Sequence, residues 1–181
     1  MANAAIFFIN GFEEIEALTS VDVLRRGGVD VETVSLESTH QVTGKHRVEI
    51  KADRLLAGLD EPKYDILIIP GGTLAYLEHR PFMDLIAARG QAGRKLAAIC
   101  AAPAVLGRLG LLKGKKAVCY PGLEGELTWA NVPTDPPAVI TDGTITTSRG
   151  PSTALVFALE VLKIITSPEQ SLAVAKDMLA A

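Results

Sequence analysis

The chain has 181 residues, a formal net charge of −3, 48% hydrophobic residues and 22% charged ones, the balance of one globular domain, residues 1–181, with enough apolar content for a core that needs no metal or disulfide. Weak acidity without a basic run counts against nucleic acid or an anionic membrane as a partner, and no apolar stretch reaches the roughly 18 residues of a membrane span. The opening MANAAIFFINGFEE has no basic leader and reads as no signal peptide, while two cysteines, Cys100 and Cys119, form no disulfide framework and point to a reducing, cytoplasmic setting.

In chain order, AAIFFI (4–9) is fully apolar, as a buried parallel strand is. EEIEALTSVDVLRRGG follows as a helix, with Ile15, Leu18, Val21, Val23 and Leu24 as its apolar face and Gly27-Gly28 as its stop. DVETVSL (30–36) is a second strand, which completes a β-α-β opening. Residues 40–60 alternate enough for a hairpin or an extended excursion. YDILIIPGG (64–72) is the clearest strand and ends in Gly-Gly. MDLIAARGQAGR is predicted helical, KLAAIC a strand, APAVLGRLGLL a helix and KKAVCY (115–120) a strand. Residues 138–148 form a hairpin around Asp142-Gly143. PSTALVFALEVLKIIT (151–166) opens with Pro as a strongly apolar helix, and PEQSLAVAKDMLAA is the terminal one. This alternation predicts an α/β domain whose mostly parallel sheet is covered on both faces. Ligands in such sheets gather beyond the carboxyl ends of strands, which selects Asn10-Gly11, Gly71-Gly72 and Cys100.

Cys100 stands where a hydrophobic run turns straight into small residues and then a helical pattern. A sharp strand-to-helix turn of this kind is a nucleophile elbow with Cys in the place of Ser. The helix N-terminus behind it favours thiolate, so a pKa below the free value of about 8.5 is expected. Gly71 and Gly72 let the backbone approach a ligand closely and aim N–H groups at it, as an oxyanion hole requires. Glu13 and Glu14 suit the start of a helix. Glu16, flanked by Ile15 and Ala17, is placed to face the sheet end; buried, it would stay protonated and shuttle a proton beside the cysteine. Cys119 reads as a packing residue, and Tyr120 and Trp129 lie in a stretch that could flank a pocket. The three histidines, His40, His46 and His79, have no metal-ligand spacing among themselves or with the cysteines.

The motifs GFEEIEALTSVDVLRRGGVDV, YDILIIPGG, AAICAAPAVL and TTSRGPSTALVFAL, in this order over nearly the whole chain, resemble the ThiJ/PfpI superfamily, and within it the DJ-one and YajL-like branch. The resemblance implies a flavodoxin-like three-layer sandwich related to class I glutamine amidotransferases, a homodimer, and no metal or organic cofactor. It makes Cys100 the oxidation-sensitive nucleophile, Glu16 its partner carboxyl, and the N–H groups of Gly71, Gly72 and Ala101 its surroundings. It sets Arg25 and Arg26 near the dimer interface. Where some members have His before the Pro of the strand, CYP puts Tyr120, which removes a Cys-His dyad and weakens a hydrolase or amidotransferase reading. Where the branch often has Arg, GKHR puts His46, with Arg47 beside it. The activity implied is that of a glutathione-independent glyoxalase or protein deglycase acting on small reactive aldehydes such as methylglyoxal or on glycated protein groups. The alternative is a redox-sensing stress chaperone whose cysteine is oxidised rather than turned over.

Overall fold

In the computed structural model, which describes residues 1–181, the chain runs through β1 (Asn3–Phe8), α1 (Glu14–Arg26), β2 (Asp30–Ser35), β3 (Gln41–Thr43), β4 (Glu49–Lys51), β5 (Arg54–Leu55), β6 (Ile66–Ile69), α2 (Arg80–Gln91), β7 (Lys95–Ile99), α3 (Pro103–Arg108), β8 (Val139–Asp142), β9 (Ile145–Ser148), α4 (Ala154–Ile165) and α5 (Pro168–Asp177). Seven strands form one sheet in the order β5-β2-β1-β6-β7-β9-β8. All neighbours pair parallel except β8, which returns antiparallel on β9. The hairpin expected between residues 40 and 60 is present as β3 and β4.

The central strands are apolar throughout because both their faces are covered. Successive side chains point to opposite faces. Ala4, Ile6 and Phe8 join Ile66, Ile68, Ala97 and Ile99 in a core with α1, α4 and α5. Ala5 and Phe7 join Leu67, Ile69, Leu96 and Ala98 in a second core with α2 and α3. The result is a flavodoxin-like sandwich of helix, sheet and helix layers. No helix is long and apolar enough to cross a membrane.

Three expectations are corrected. KKAVCY (115–120) is not a strand: it makes a single bridge, Lys116 to Asn131. The reason is topological, since β9 already has β7 on one side and β8 on the other. Val118 N–H instead donates to the Thr147 side chain, at 3.0 Å. The helix after Cys100 stops at Arg108 rather than reaching Leu112, as the chain turns at Gly110 with φ of +69°. The inner face of α1 is only in part the one that hydrophobicity picks: Val23 and Leu24 are in the core and Val21 packs against it, but Ile15 and Leu18 are not. Glu16, Ala17, Ser20, Val23 and Leu24 are buried, whereas Ile15 is 55% and Leu18 39% exposed. Small residues at 17 and 20 let the helix lie close to its neighbours, and that rotation sends Glu16 inward.

Candidate functional site

β7 delivers the chain to Cys100, whose φ is +66°, a region that costs an L-residue with a Cβ about 1–2 kcal/mol. Neighbouring backbone holds it there. Cys100 N–H donates to the Ser148 carbonyl at 3.0 Å, and the Cys100 carbonyl accepts from Tyr120 N–H at 2.8 Å. Ala101, Ala102 and Pro103 carry the chain into α3 without crowding the turn.

Glu16 lies in the first turn of α1 and is fully buried. Gly71 N–H donates to its Oε2 at 2.7 Å, while Oε1 is buried without a conventional hydrogen-bond partner. Glu13 ties this turn to the end of β6: its N–H donates to the Gly71 carbonyl at 3.0 Å, and its Oε2 accepts from Glu16 N–H at 2.9 Å. Gly71 is where the parts converge. A Cβ there would lie 2.6 Å from Cys100 Cβ, 2.8 Å from Glu16 Oε2 and 2.9 Å from Ala101 N. Gly72, with φ of +95°, is also required, since a side chain would collide with Glu13 N and Gly11 O.

Burial pushes the Glu16 carboxyl up to about 7, against the Gly71 hydrogen bond and an interaction with the Cys100 thiol that both pull it down. Burial likewise pushes the Cys100 thiol up, to about 12, reinforced by the charge of Glu16 and the bond to it, and opposed by backbone N–H groups of Gly72 and Ala101. The thiol below about 8.5 expected from the elbow alone is therefore not found while Glu16 is ionised. α3 is only six residues long, and its dipole does not offset a carboxylate in contact. The two groups titrate as a pair: one negative charge is accommodated, on the more acidic Glu16, and a second, on the sulfur, is strongly opposed.

The β3–β4 hairpin closes over the start of α1. Lys45 N–H donates to the Phe12 carbonyl at 2.8 Å. His46 N–H donates to Glu14 Oε1 at 2.6 Å, and His46 Nδ1 lies 2.8 Å from Oε2. Burial raises the Glu14 carboxyl, but its bonds from His46 and the backbone outweigh this and hold it below the usual range. Glu13, Glu14 and His46 bring donor atoms within 4.8 Å of one another. Glu14 and His46 are occupied in fastening the hairpin to the helix and Glu13 in capping it, so the set fits a clamp better than a metal ligand shell.

A cavity of about 280 Å³ is lined by Cys100, Ala101, Gly72, His46 and Tyr120, with Glu13, Lys45, Leu123 and Pro151. Glu16 and Gly71 lie directly behind the thiol. Gly71 is not a free oxyanion donor, because its N–H is spent on Glu16; the N–H groups of Gly72 and Ala101 are those that act on the sulfur. Arg25 and Arg26 stand outside the cavity at the far end of α1, paired with Asp53, and with Asp22 and Asp177. Trp129 is 72% exposed, and neither it nor Arg47 lines the cavity. Lys45 was not foreseen, since the short basic stretch Lys45-His46-Arg47 carries no periodic signal that selects one of its members. A larger cavity of about 570 Å³, among Leu36, Leu56, His79 and Leu85, lies apart from the cysteine and is mostly apolar.

The sequence model of the DJ-1/PfpI family matches residues 2–164. The chain belongs to the DJ-1/PfpI family. Among its relatives is Protein dj-1beta of Drosophila melanogaster, 35% identical over 99% of this chain and 97% of that one. The crystal structure of Drosophila DJ-1beta superposes with a TM-score of 0.92 at 34% identity, covering 99% of this chain and 98% of the other. A glutathione-independent glyoxalase of Caenorhabditis elegans is 32% identical over 92% of this chain and 89% of its own. A deglycase of Pyrococcus horikoshii is 28% identical over 86% and 95%. In this chain, Tyr120 is the only aromatic side chain lining the cavity besides the His46 ring.

Proposed function

We propose that the protein is a cofactor-independent glyoxalase or deglycase that uses Cys100 as nucleophile and Glu16 as proton shuttle. The observation that carries this reading is the meeting of thiol and carboxyl across Gly71, in a buried pair that accommodates one negative charge. Glyoxalase and deglycase relatives support the substrate class.

In the reaction with methylglyoxal, Glu16 takes the thiol proton as the sulfur adds to the aldehyde carbon, and passes it to the developing oxyanion. The N–H groups of Gly72 and Ala101 assist as donors. The ionised Glu16 then takes the C1 proton and returns it to C2, while the hydroxyl proton passes to the C2 oxygen. This leaves a lactoyl thioester, which water hydrolyses to lactate and free thiol. A glycated amine or thiol, as a hemiaminal or hemithioacetal, enters at the same adduct. The exposed Ile15 and Leu18 on α1 supply a homodimer surface, and the two free thiols suit a reducing cytoplasm.

The test is lactate formation from methylglyoxal without added thiol, on fully reduced protein. Wild type should turn over, Cys100→Ser should not, and Glu16→Gln should fall by about 10²–10⁴-fold. Full activity in Glu16→Gln removes the shuttle. Absence of turnover in folded wild type overturns the enzyme reading in favour of an oxidation sensor.

A further inference from the structure

Arg149 follows β9 and enters none of the steps above. Its Nε is buried and has no hydrogen-bond partner, and its guanidinium is absent from the ion pairs of the chain. It lines a cavity of about 240 Å³ together with Tyr120, Gly150, Pro151 and Ser152. Tyr120 and Pro151 also line the Cys100 cavity, so the two spaces adjoin across them. Glu124 is an acid in the same neighbourhood, since it and Arg149 bear on the Cys119 thiol with opposite sign. Its Oε2, however, accepts from Gly122 N–H at 2.8 Å. The hydroxyls of Ser148 and Thr153 are used on each other, on the Ala138 carbonyl and on Gly150. The exposed Ser152 hydroxyl and the half-exposed Tyr120 phenol are left for a ligand. A guanidinium partly withdrawn from water with no ion-pair partner is costly, and a carboxylate with two oxygens is its natural complement. The positive end of α4 opens on the same side, since Pro151–Thr153 lead into it.

We propose that this second cavity is a carboxylate subsite of the active site, and that the preferred substrates are 2-oxoaldehydes with a carboxylate on the tail. One guanidinium and two neutral hydroxyls match a monoanion better than a phosphate dianion. For its kinetic readout the proposal rests on the carbonyl chemistry assigned to Cys100; its binding readout does not.

The test compares methylglyoxal with 4,5-dioxopentanoate, which is methylglyoxal with its methyl group extended by CH₂COO⁻, in wild type, Arg149→Met and Arg149→Lys. Wild type should favour the carboxylate substrate in kcat/KM. The ratio of the two kcat/KM values should fall about tenfold or more in Arg149→Met, through KM, and recover in part in Arg149→Lys. In parallel, calorimetry on Cys100→Ser should detect 4-oxopentanoate binding that the uncharged 4-oxopentanamide lacks and that Arg149→Met abolishes. If Arg149→Met does not fold, Arg149→Lys and the amide carry the same comparison. An unchanged ratio together with no acid-over-amide preference overturns the subsite and leaves methylglyoxal turnover standing. Arg149-dependent binding without turnover of either aldehyde keeps the subsite and overturns the carbonyl chemistry. Inhibition by inorganic phosphate but not by 4-oxopentanoate overturns the carboxylate assignment.

Discussion

The centre of the site is a missing side chain. Gly71 has no Cβ, and in its place Cys100, Glu16 and the Ala101 amide come together. The sequence already marked Cys100 and Glu16 as chemically unusual, one by its strand-to-helix turn and the other by its place between apolar neighbours. It could not show that burial would act on both titrations at once. That burial has a measurable consequence for stability. Glu16 rises from an ordinary 4.5 to about 7 on folding, so the folded state binds the extra proton. The stabilisation is complete below about pH 4.5 and is lost as pH rises through 7. Above that, ionised Glu16 costs the fold roughly 3 kcal/mol. Glu16→Gln keeps an acceptor for Gly71 N–H and cannot ionise. Its melting temperature should therefore gain on wild type from about pH 5 and level off above about pH 7 in thermal unfolding scans. Parallel profiles for the two proteins would show that Glu16 is not the group that titrates.

At the scale of elements, runs whose residues are all apolar were legible because nothing but a doubly covered strand suits them. β1, β6 and β7 are of this kind. α1 was legible as a helix but only in part in its orientation, because its first two turns bury two acids and small residues, Glu14, Glu16, Ala17 and Ser20, while Ile15 and Leu18 face outward. The segment at 115–120 has strand composition but no open sheet edge to join, and that depends on pairings distant in sequence. Lys45 and Arg149 are basic residues in loops, and only the assembled fold shows what surrounds them. The β3–β4 hairpin is secured at its tip by Glu14. Because that carboxyl is held below its ordinary value, the clamp is fully present above about pH 4.5 and is lost as pH falls through the lowered value. Glu14→Gln should speed amide exchange at Lys45 and His46 at neutral pH, with β6 and β7 unaffected. Wild type should approach the variant only in acid. Equal protection in both at pH 7 would assign the hairpin's order to other contacts.

In the molecule as a whole, the order β1-β6-β7 brings three strand ends to one edge of the sheet: the loop into α1, Gly71-Gly72 and Cys100. The opposite surface of α1, with Ile15 and Leu18, is left without a partner inside the chain. If it is the homodimer surface, Leu18→Arg should sediment as a monomer with unchanged circular dichroism, beside a dimeric wild type; a monomeric wild type would remove that interface. The backbone at Cys100 has a further consequence, at the level of sequence change over generations. A turn with φ of +66° suits glycine or asparagine better than a cysteine. Folding therefore works weakly against the residue on which the proposed chemistry depends. A lineage kept only for its fold would drift toward glycine at position 100, so persistence of the thiol there would itself record continued selection for what the thiol does.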